Sequence, residues 1–425
     1  MKSGVTRFVA CSGVVIATAL VAAQVRLPLP APGTGTPNFG RVVPRPEGAQ
    51  PTAPAGFSVT EYAAELPGAR IMVFAPNGDL FVAQSGQSAV SILRDTDRDG
   101  KPDRRMVYAQ GPPPPCVAEG ATGGRQPFGL AFQGDYLYVG YTDCVVRYRY
   151  RAGDTQPQGP PEKLADLPDG GHNTRNVIFS RDGRKMYIAV GSASNNDAGE
   201  DPRRAAINEY NADGTGHRVF ASGIRNPVGL AWQPGTDVLW TAVNERDNLG
   251  DDLVPDYATS VRDGGFYGWP YSYIGQNYDP KHQGKQPDLV KRALVPDVLI
   301  QAHSAALGIT FYAGDQFPAR YRNGAFVALH GSWNRSTTAG VKVIFGLFAD
   351  LSTASERPMV APTLWNQGVS PVGALDLCDS SGAACAGPAL GWGACSAAAT
   401  SERPTLRGGR PRRRLRVSSV HRLRC

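Results

Sequence analysis

Five stretches of the chain share one pattern: an apolar run, a short polar turn, and a second apolar run. They are IMVFAPNGDLFVAQSG from Ile71, FGLAFQGDYLYVGYTD from Phe128, NVIFSRDGRKMYIAVGS from Asn176, VGLAWQPGTDVLWTAVNE from Val228 and LGITFYAGDQFPARYRNGAFVALHGS from Leu307. Runs of this length, rich in β-branched and aromatic residues and bounded by turn residues, predict strands rather than helices. Asn77-Gly78, Gly134-Asp135 and Asp182-Gly183 are the dipeptides that tight hairpins demand, because glycine enters the left-handed backbone region without strain. The first four starts fall about 50 residues apart, and a longer insertion precedes the fifth. Hairpin units at that spacing predict propeller blades. A repeated two-layer sandwich is the weaker alternative, because its turns come more often.

Composition sharpens this picture. Fifty glycines and 35 prolines, one residue in five of 425, suit many short strands joined by tight turns and not a helical protein. The length allows two or three domains or one large all-β unit. At the N-terminus Lys2 and Arg7 lead an apolar run, Phe8 to Ala23, that ends in small residues. This reads as a signal peptide over 1–23, too short for a membrane span. The expected mature protein is soluble, periplasmic or secreted, and free of stable membrane insertion. Residues 24–55 read as a Pro-rich linker.

The formal net charge of +7 is misleading. Residues 401–425 hold nine arginines and one glutamate, a contribution of +8, so the rest of the chain sums to −1. A basic tail on a near-neutral body, without a nucleic-acid motif, gives no reason to expect nucleic acid as a partner. Export makes a disulfide between Cys116 and Cys144 an expectation. Cys378, Cys385, Cys395 and Cys425 crowd the tail without the paired spacing of a zinc site.

The polar segments flanking the hairpins carry the candidate chemistry. GGHNTRN precedes the third, GIRNP the fourth and HSAALG the fifth, while NERDNLGDD follows the fourth and HGSWNRS the fifth. In a propeller such loops converge at one end of the channel. Taken alone, His172 in GGHNTRN reads as a turn histidine capping a strand. The acidic residues of NERDNLGDD read as a solvated loop or a calcium site, since calcium collects carboxylate and carbonyl oxygens. Asp95-Thr96-Asp97-Arg98-Asp99-Gly100 opens like an EF-hand loop but has Met106 where the bidentate glutamate belongs, which favours a plain hairpin closure.

GGHNTRN, SGIRNPVGLAW, VNERDNLGDDLVPDY, GGFYGWPY and HSAALGITFYAGDQFPARYRNGAFVALHGSWNRS together resemble the soluble glucose and sorbosone dehydrogenases, above all the sorbosone dehydrogenase-like branch, from about Gly56 to Phe345. The resemblance implies an all-β fold, a six-bladed β-propeller over 56–345, with pyrroloquinoline quinone (PQQ) and calcium as cofactors. It implies oxidation of a small sugar or sugar aldehyde and delivery of electrons to an unidentified acceptor. By position, His172 becomes the base that takes a hydroxyl proton while the quinone takes the hydride. Arg225 and Asn226 become the quinone contacts, with Arg225 also stabilising the oxygen that gains charge. Glu245, Arg246, Asp247 and Asp252 become the calcium loop. Trp269, Tyr267 and Tyr271 either flank the flat cofactor or pack between blades. Trp333 and Arg335, with His303, His330 and Asn334, close the remaining side. The glucose enzymes place a lysine near His330; here Arg335 or His330 would substitute for it.

After Phe345 the strand pattern stops, so the sixth blade lacks its sequence signature. Residues 346–425 read either as a disordered basic tail or as a final blade lost to a shift of coding frame. Two rival functions follow: a calcium-dependent lactone or ester hydrolase, or a non-catalytic propeller scaffold descended from an enzyme.

Overall fold

Every one of the five predicted hairpins forms the two inner strands of a β-sheet. The computed structural model describes residues 26–39, 49, 51, 53–54, 57–111, 113, 116, 126–346 and the backbone of 415–417. Blade 1 comprises Ala69–Phe74, Leu80–Gln84, Ala89–Arg94 and Arg104–Gln110, and blade 2 comprises Pro127–Gln133, Tyr136–Tyr141, Cys144–Arg149 and Glu162–Asp166. Blade 3 runs Val177–Phe179, Lys185–Val190, Ala206–Asn211 and Arg218–Ser222. Blade 4 runs Pro227–Trp232, Leu239–Val243, Asp256–Ser260 and Val298–Ile300, with an insertion before its last strand. Blade 5 shows three strands, Ala306–Phe311, Ala325–Leu329 and Lys342–Gly346. All pair antiparallel to their neighbours, and the chain is an all-β propeller.

The blades stack through apolar clusters, one for each interface. Phe81, Ile92, Val139 and Val146 belong to the cluster joining blades 1 and 2, and Tyr138, Val145, Ile188 and Met186 join blades 2 and 3. Ala189, Ile207, Val243 and Tyr257 join blades 3 and 4, and Trp240, Ala258, Ile309 and Val327 join blades 4 and 5. Two further clusters draw on a single blade each. Leu80, Val82 and Leu93 cover one face of blade 1, with Tyr62 and Ala63 against them. Tyr312, Phe317, Phe326 and Phe345 cover the opposite end, on blade 5, with Ala53 and Phe57 against them. Among the described residues no apolar cluster joins the outer strands of blades 5 and 1; Ala53 and Phe57 pack on the blade 5 cluster, and Tyr62 and Ala63 on the blade 1 cluster. Val59–Glu61 pairs in parallel with Leu415–Val417.

A disulfide joins Cys116 to Cys144, as expected, with Cα atoms 5.9 Å apart. The proposed signal peptide and nearly all of the tail lie outside the described residues. Part of the expected linker, residues 26–39, is ordered against the propeller. Ala31 N and Gly33 N donate to the carbonyls of Leu249 and Asn248, both at 3.0 Å, and Asn38 N donates to Trp333 O at 2.6 Å. No helix among the described residues is long and apolar enough to cross a membrane.

Candidate functional site

In an antiparallel hairpin the start of the first strand and the end of the second lie at the same edge. His172 precedes the first strand of blade 3 and Ser192 follows its second. Arg225 and Asn226 bear the same relation to blade 4 as His172 does to blade 3, with Asn244 to Asp252 following that blade's second strand. His303 and the 330–335 loop stand likewise on blade 5. The fold thus gathers the predicted segments onto one face. A tunnel of about 1220 Å³ follows the inner strands toward the opposite face, past Phe74, Phe132, Phe179, Trp232 and Phe311, and is not lined by His172, Arg225 or His303.

His172 is half-buried and held by one carbonyl. Its backbone N and its Nδ1 both meet Ser192 O, at 3.0 and 2.8 Å. A carbonyl only accepts, so Nδ1 carries the hydrogen and Nε2 is left with a lone pair. Ser192 Oγ, 3.1 Å from Nδ1, donates onward to Ser194 O at 2.6 Å. Burial and the neighbouring Arg225 charge push the imidazole down to about 3, far below the ordinary value near which sequence reasoning left it. The ring is neutral over the working pH range. Below it, fully buried Arg175 donates to His172 O and Thr174 O, both at 2.7 Å, which stiffens the loop. Gly191 makes room: a Cβ there would press on the Asn226 side chain and come within 2.6 Å of His172 Cβ.

Arg225 is buried, and its five donors point into the protein. Nε meets Asn195 O at 3.1 Å, and Nη1 meets Glu245 O at 2.7 Å and Asn244 O at 3.3 Å. Nη2 meets Asn195 Oδ1 at 2.9 Å and stands 3.5 Å from Asp247 Oδ2. The guanidinium is therefore a fixed charge under the site floor rather than an open fork. Asn226 is buried, and its Oδ1 accepts from Thr174 Oγ1 at 3.1 Å.

The expected calcium residues do not converge. Glu245 Oε2 is 3.0 Å from Arg246 Nε, and Arg246 Nη1 is 2.9 Å from Asp279 Oδ2, all three fully buried. Asp247 Oδ1 is 3.3 Å from His303 Nδ1, while Asp252 pairs with Arg335 at 2.8 Å on the surface. Glu245, Asp247 and Asp252 each face a cation and Asp251 is held by Ser336, so these carboxylates are directed to separate protein partners and do not form an anionic cage for a calcium ion. Burial would lower His303, but the Asp247 carboxylate and the Gly250 carbonyl outweigh it and hold the imidazole above its ordinary value. Burial pushes the Asp256 carboxyl up to about 7; it accepts from Glu245 N at 2.8 Å. In the EF-hand-like loop, by contrast, Asp95, Asp97 and Asp99 place carboxylate oxygens within 4.8 Å of one another.

Other predicted residues take different places. Arg335 is spent on Asp251 O and Asp252, and none of its bonds reaches His172 or Arg225. Trp333 sits on the rim, 40% exposed and stacked on Phe39. Asn334 is buried, accepting from Asn248 N at 3.0 Å. Tyr267 packs between blades with its hydroxyl on Ser260 O at 2.6 Å, and Tyr271 lies edge-on to His282. Trp269 donates to Asn195 O at 2.9 Å. Asn195 is the residue that sequence reasoning missed. The signal was present, for SASNNDAGE follows the second strand of blade 3 as NERDNLGDD follows that of blade 4.

The face where these loops gather therefore holds a neutral imidazole with an acceptor nitrogen and, behind it, a buried guanidinium as a fixed positive charge. Comparisons with known proteins agree with the fold. A Trichoderma reesei carbohydrate-active enzyme of family AA12, in a calcium structure, aligns over 79% of this chain and 89% of its own with a TM-score of 0.61 at 20% identity. The holo form of the pyranose dehydrogenase PQQ domain from Coprinopsis cinerea aligns over 71% and 80% with a TM-score of 0.58 at 20% identity. The aldose sugar dehydrogenase YliI of Escherichia coli K12 is 32% identical over 104 residues, 24% of this chain and 26% of that protein, so the chain spans about a quarter of this relative. A family model described as TrAA12-like matches residues 51–260 and 274–389, reaching past Phe345, where the strand pattern stops, into the atypical tail. By that match the chain belongs to the TrAA12-like family.

Proposed function

We propose that the protein is an exported quinoprotein oxidoreductase that oxidises a sugar or sugar aldehyde, of aldose or sorbosone type, with PQQ as cofactor and His172 as base. The observation that carries this reading is the state of His172: Nδ1 is committed to Ser192 O, so Nε2 keeps its lone pair, with the Arg225 charge close by and the Asn226 side chain across Gly191. The PQQ named for the Coprinopsis cinerea domain, and the sugars named for it and for the Escherichia coli relative, support the choice of cofactor and substrate class.

PQQ, when bound, supplies a two-electron acceptor for hydride. Asn226 and His172 would contact it, and Arg225 would offset its negative charge from beneath. An anion at this position raises the proton affinity of His172, which without it is too weak a base. Nε2 then takes the substrate hydroxyl proton. No step is assigned to calcium, because the 245–252 carboxylates are already held by protein partners. The six-bladed count belongs to the same proposal, the last blade standing between blades 5 and 1. Electrons leave to an acceptor that is still to be identified.

The test is reduction of an artificial dye by purified protein with added PQQ, over a panel of aldoses and sugar aldehydes, with His172→Ala as control. Turnover that needs PQQ and disappears in the variant supports the reading. Lactone hydrolysis without PQQ would favour the hydrolase instead, and absence of PQQ binding the scaffold.

A further inference from the structure

The N-terminal strap sets Phe39 against Trp333 of the 330–335 loop on the rim of this face. Phe39 stacks on Trp333 with ring centroids 5.5 Å apart and planes 12° from parallel. The pair is not hidden: Phe39 is 70% and Trp333 40% exposed, and Leu29 on the same strap is 90% exposed. The strap does not need these rings as anchors. Its backbone is already pinned to Leu249, Asn248 and Trp333, and Asn38 Nδ2 donates to Ser336 O at 3.0 Å. Gly35 lets it lie close, since a Cβ there would come within 2.5 Å of Asn334 Nδ2 and press on Asn248. Asn334 in turn accepts from Asn248 N, one residue from Asp247, which faces Arg225. The strap is therefore connected, through Asn334 and the 247–248 backbone, to Arg225. Two contiguous exposed aromatic rings, with Asn38 and Ser336 beside them, offer a surface on which a ligand can stack. A pyranose matches it, because its ring has an apolar C–H face for aromatic planes and an edge of hydroxyls for polar groups.

We propose that Phe39 and Trp333 form a carbohydrate-ring platform, a subsite that binds the apolar face of a pyranose. Its choice of a sugar over another apolar ligand rests on the oxidoreductase reading. The strap is then a working part of the site wall rather than a linker.

The test is a binding titration of the full chain with glucose and cellobiose, read by tryptophan fluorescence and calorimetry. Sorbitol serves as a polyol with no ring face. Wild type and Phe39→Tyr are expected to bind the two sugars saturably and sorbitol not at all. Phe39→Ala and Phe39→Leu are expected to bind at least fivefold more weakly at an unchanged melting temperature, and Trp333→Phe to lose the fluorescence change. Equal sugar affinity in Phe39→Ala and wild type, or no saturable sugar binding by wild type, overturns the platform. Dye reduction with PQQ is measured in parallel. Phe39-dependent binding without turnover sinks the oxidoreductase reading and leaves the platform standing, whereas turnover with the same sugar KM in Phe39→Ala does the reverse.

Discussion

Asn195 receives two of the hydrogen bonds that Arg225 has to give, one at its side-chain oxygen at 2.9 Å and one at its carbonyl at 3.1 Å. The same side chain spans the gap to the neighbouring blade, accepting from Asp247 N at 2.9 Å and donating to Asp247 O at 3.0 Å. Hydrogen bonds to a charged partner are worth about 1.5–3 kcal/mol each in a buried setting. Asn195→Ala is therefore expected to weaken PQQ binding by roughly tenfold or more through a displaced Arg225. Absorbance titration with PQQ measures this, and unchanged affinity would show that Arg225 holds its place without Asn195.

Protonation of His172 links stability to pH. In the unfolded chain the group titrates near its ordinary value of 6.5, whereas in the folded site burial and Arg225 hold it at about 3. Between these values the unfolded chain binds a proton that the folded site refuses, so stability falls as pH drops from about 6.5 toward 3. His172→Gln removes that contribution. Its melting temperature is expected to fall less than that of wild type between pH 6.5 and 4.5, while kcat drops by about 10²–10⁴-fold. Parallel melting curves for the two proteins would contradict the buried neutral state.

Gly191→Ala puts a methyl group into the space between His172 and Asn226. Both side chains must move for it to fit, and misplacement by an ångström at a reacting group costs about 10²-fold. The expected result is a large loss of kcat with a small change in melting temperature. A variant that retains full turnover would show that this gap is not part of the reacting geometry.

Arg246 neutralises Glu245 and Asp279 at once and is fully buried. Arg246→Met leaves two buried carboxylates without a cation, a loss of about 3–5 kcal/mol. Arg246→Lys keeps the charge but cannot also reach the Pro270 and Ser272 carbonyls, so an intermediate loss is expected. Urea unfolding of the three proteins ranks them. A variant with Met as stable as wild type would mean that the carboxylates find other partners.

The hairpins were legible in the sequence because a hairpin is a local object. Alternating apolar positions, a turn glycine and a second apolar run specify it within 20 residues or so. The face on which the chemistry gathers followed from the same rule, for a loop before the first strand and a loop after the second share one sheet edge. The segments GGHNTRN and GIRNP were singled out in this way, the roles of His172, Arg225 and Asn226 came from the family resemblance, and the Cys116–Cys144 pairing came from the redox logic of export. The SASNNDAGE loop obeyed the rule too, but an asparagine that acts by holding Arg225 carries no charge or motif of its own to mark it.

Tertiary structure decided the rest, because pairing partners cannot be read from spacing. A cluster of acidic residues around 245–252 looked like a metal loop until its carboxylates met other partners: Arg246 for Glu245, Arg225 and His303 beside Asp247, Ser336 on Asp251 and Arg335 beside Asp252. Arg225 looked like an open fork until its donors found the carbonyls of Asn195 and Glu245. The Pro-rich stretch looked like a linker until residues 26–39 lay against loops more than 200 positions away. In each case the sequence by itself determined which groups are present and which edge of a sheet they occupy. Whether a charge faces a ligand or another charge was settled only by what the folded chain packed beside it.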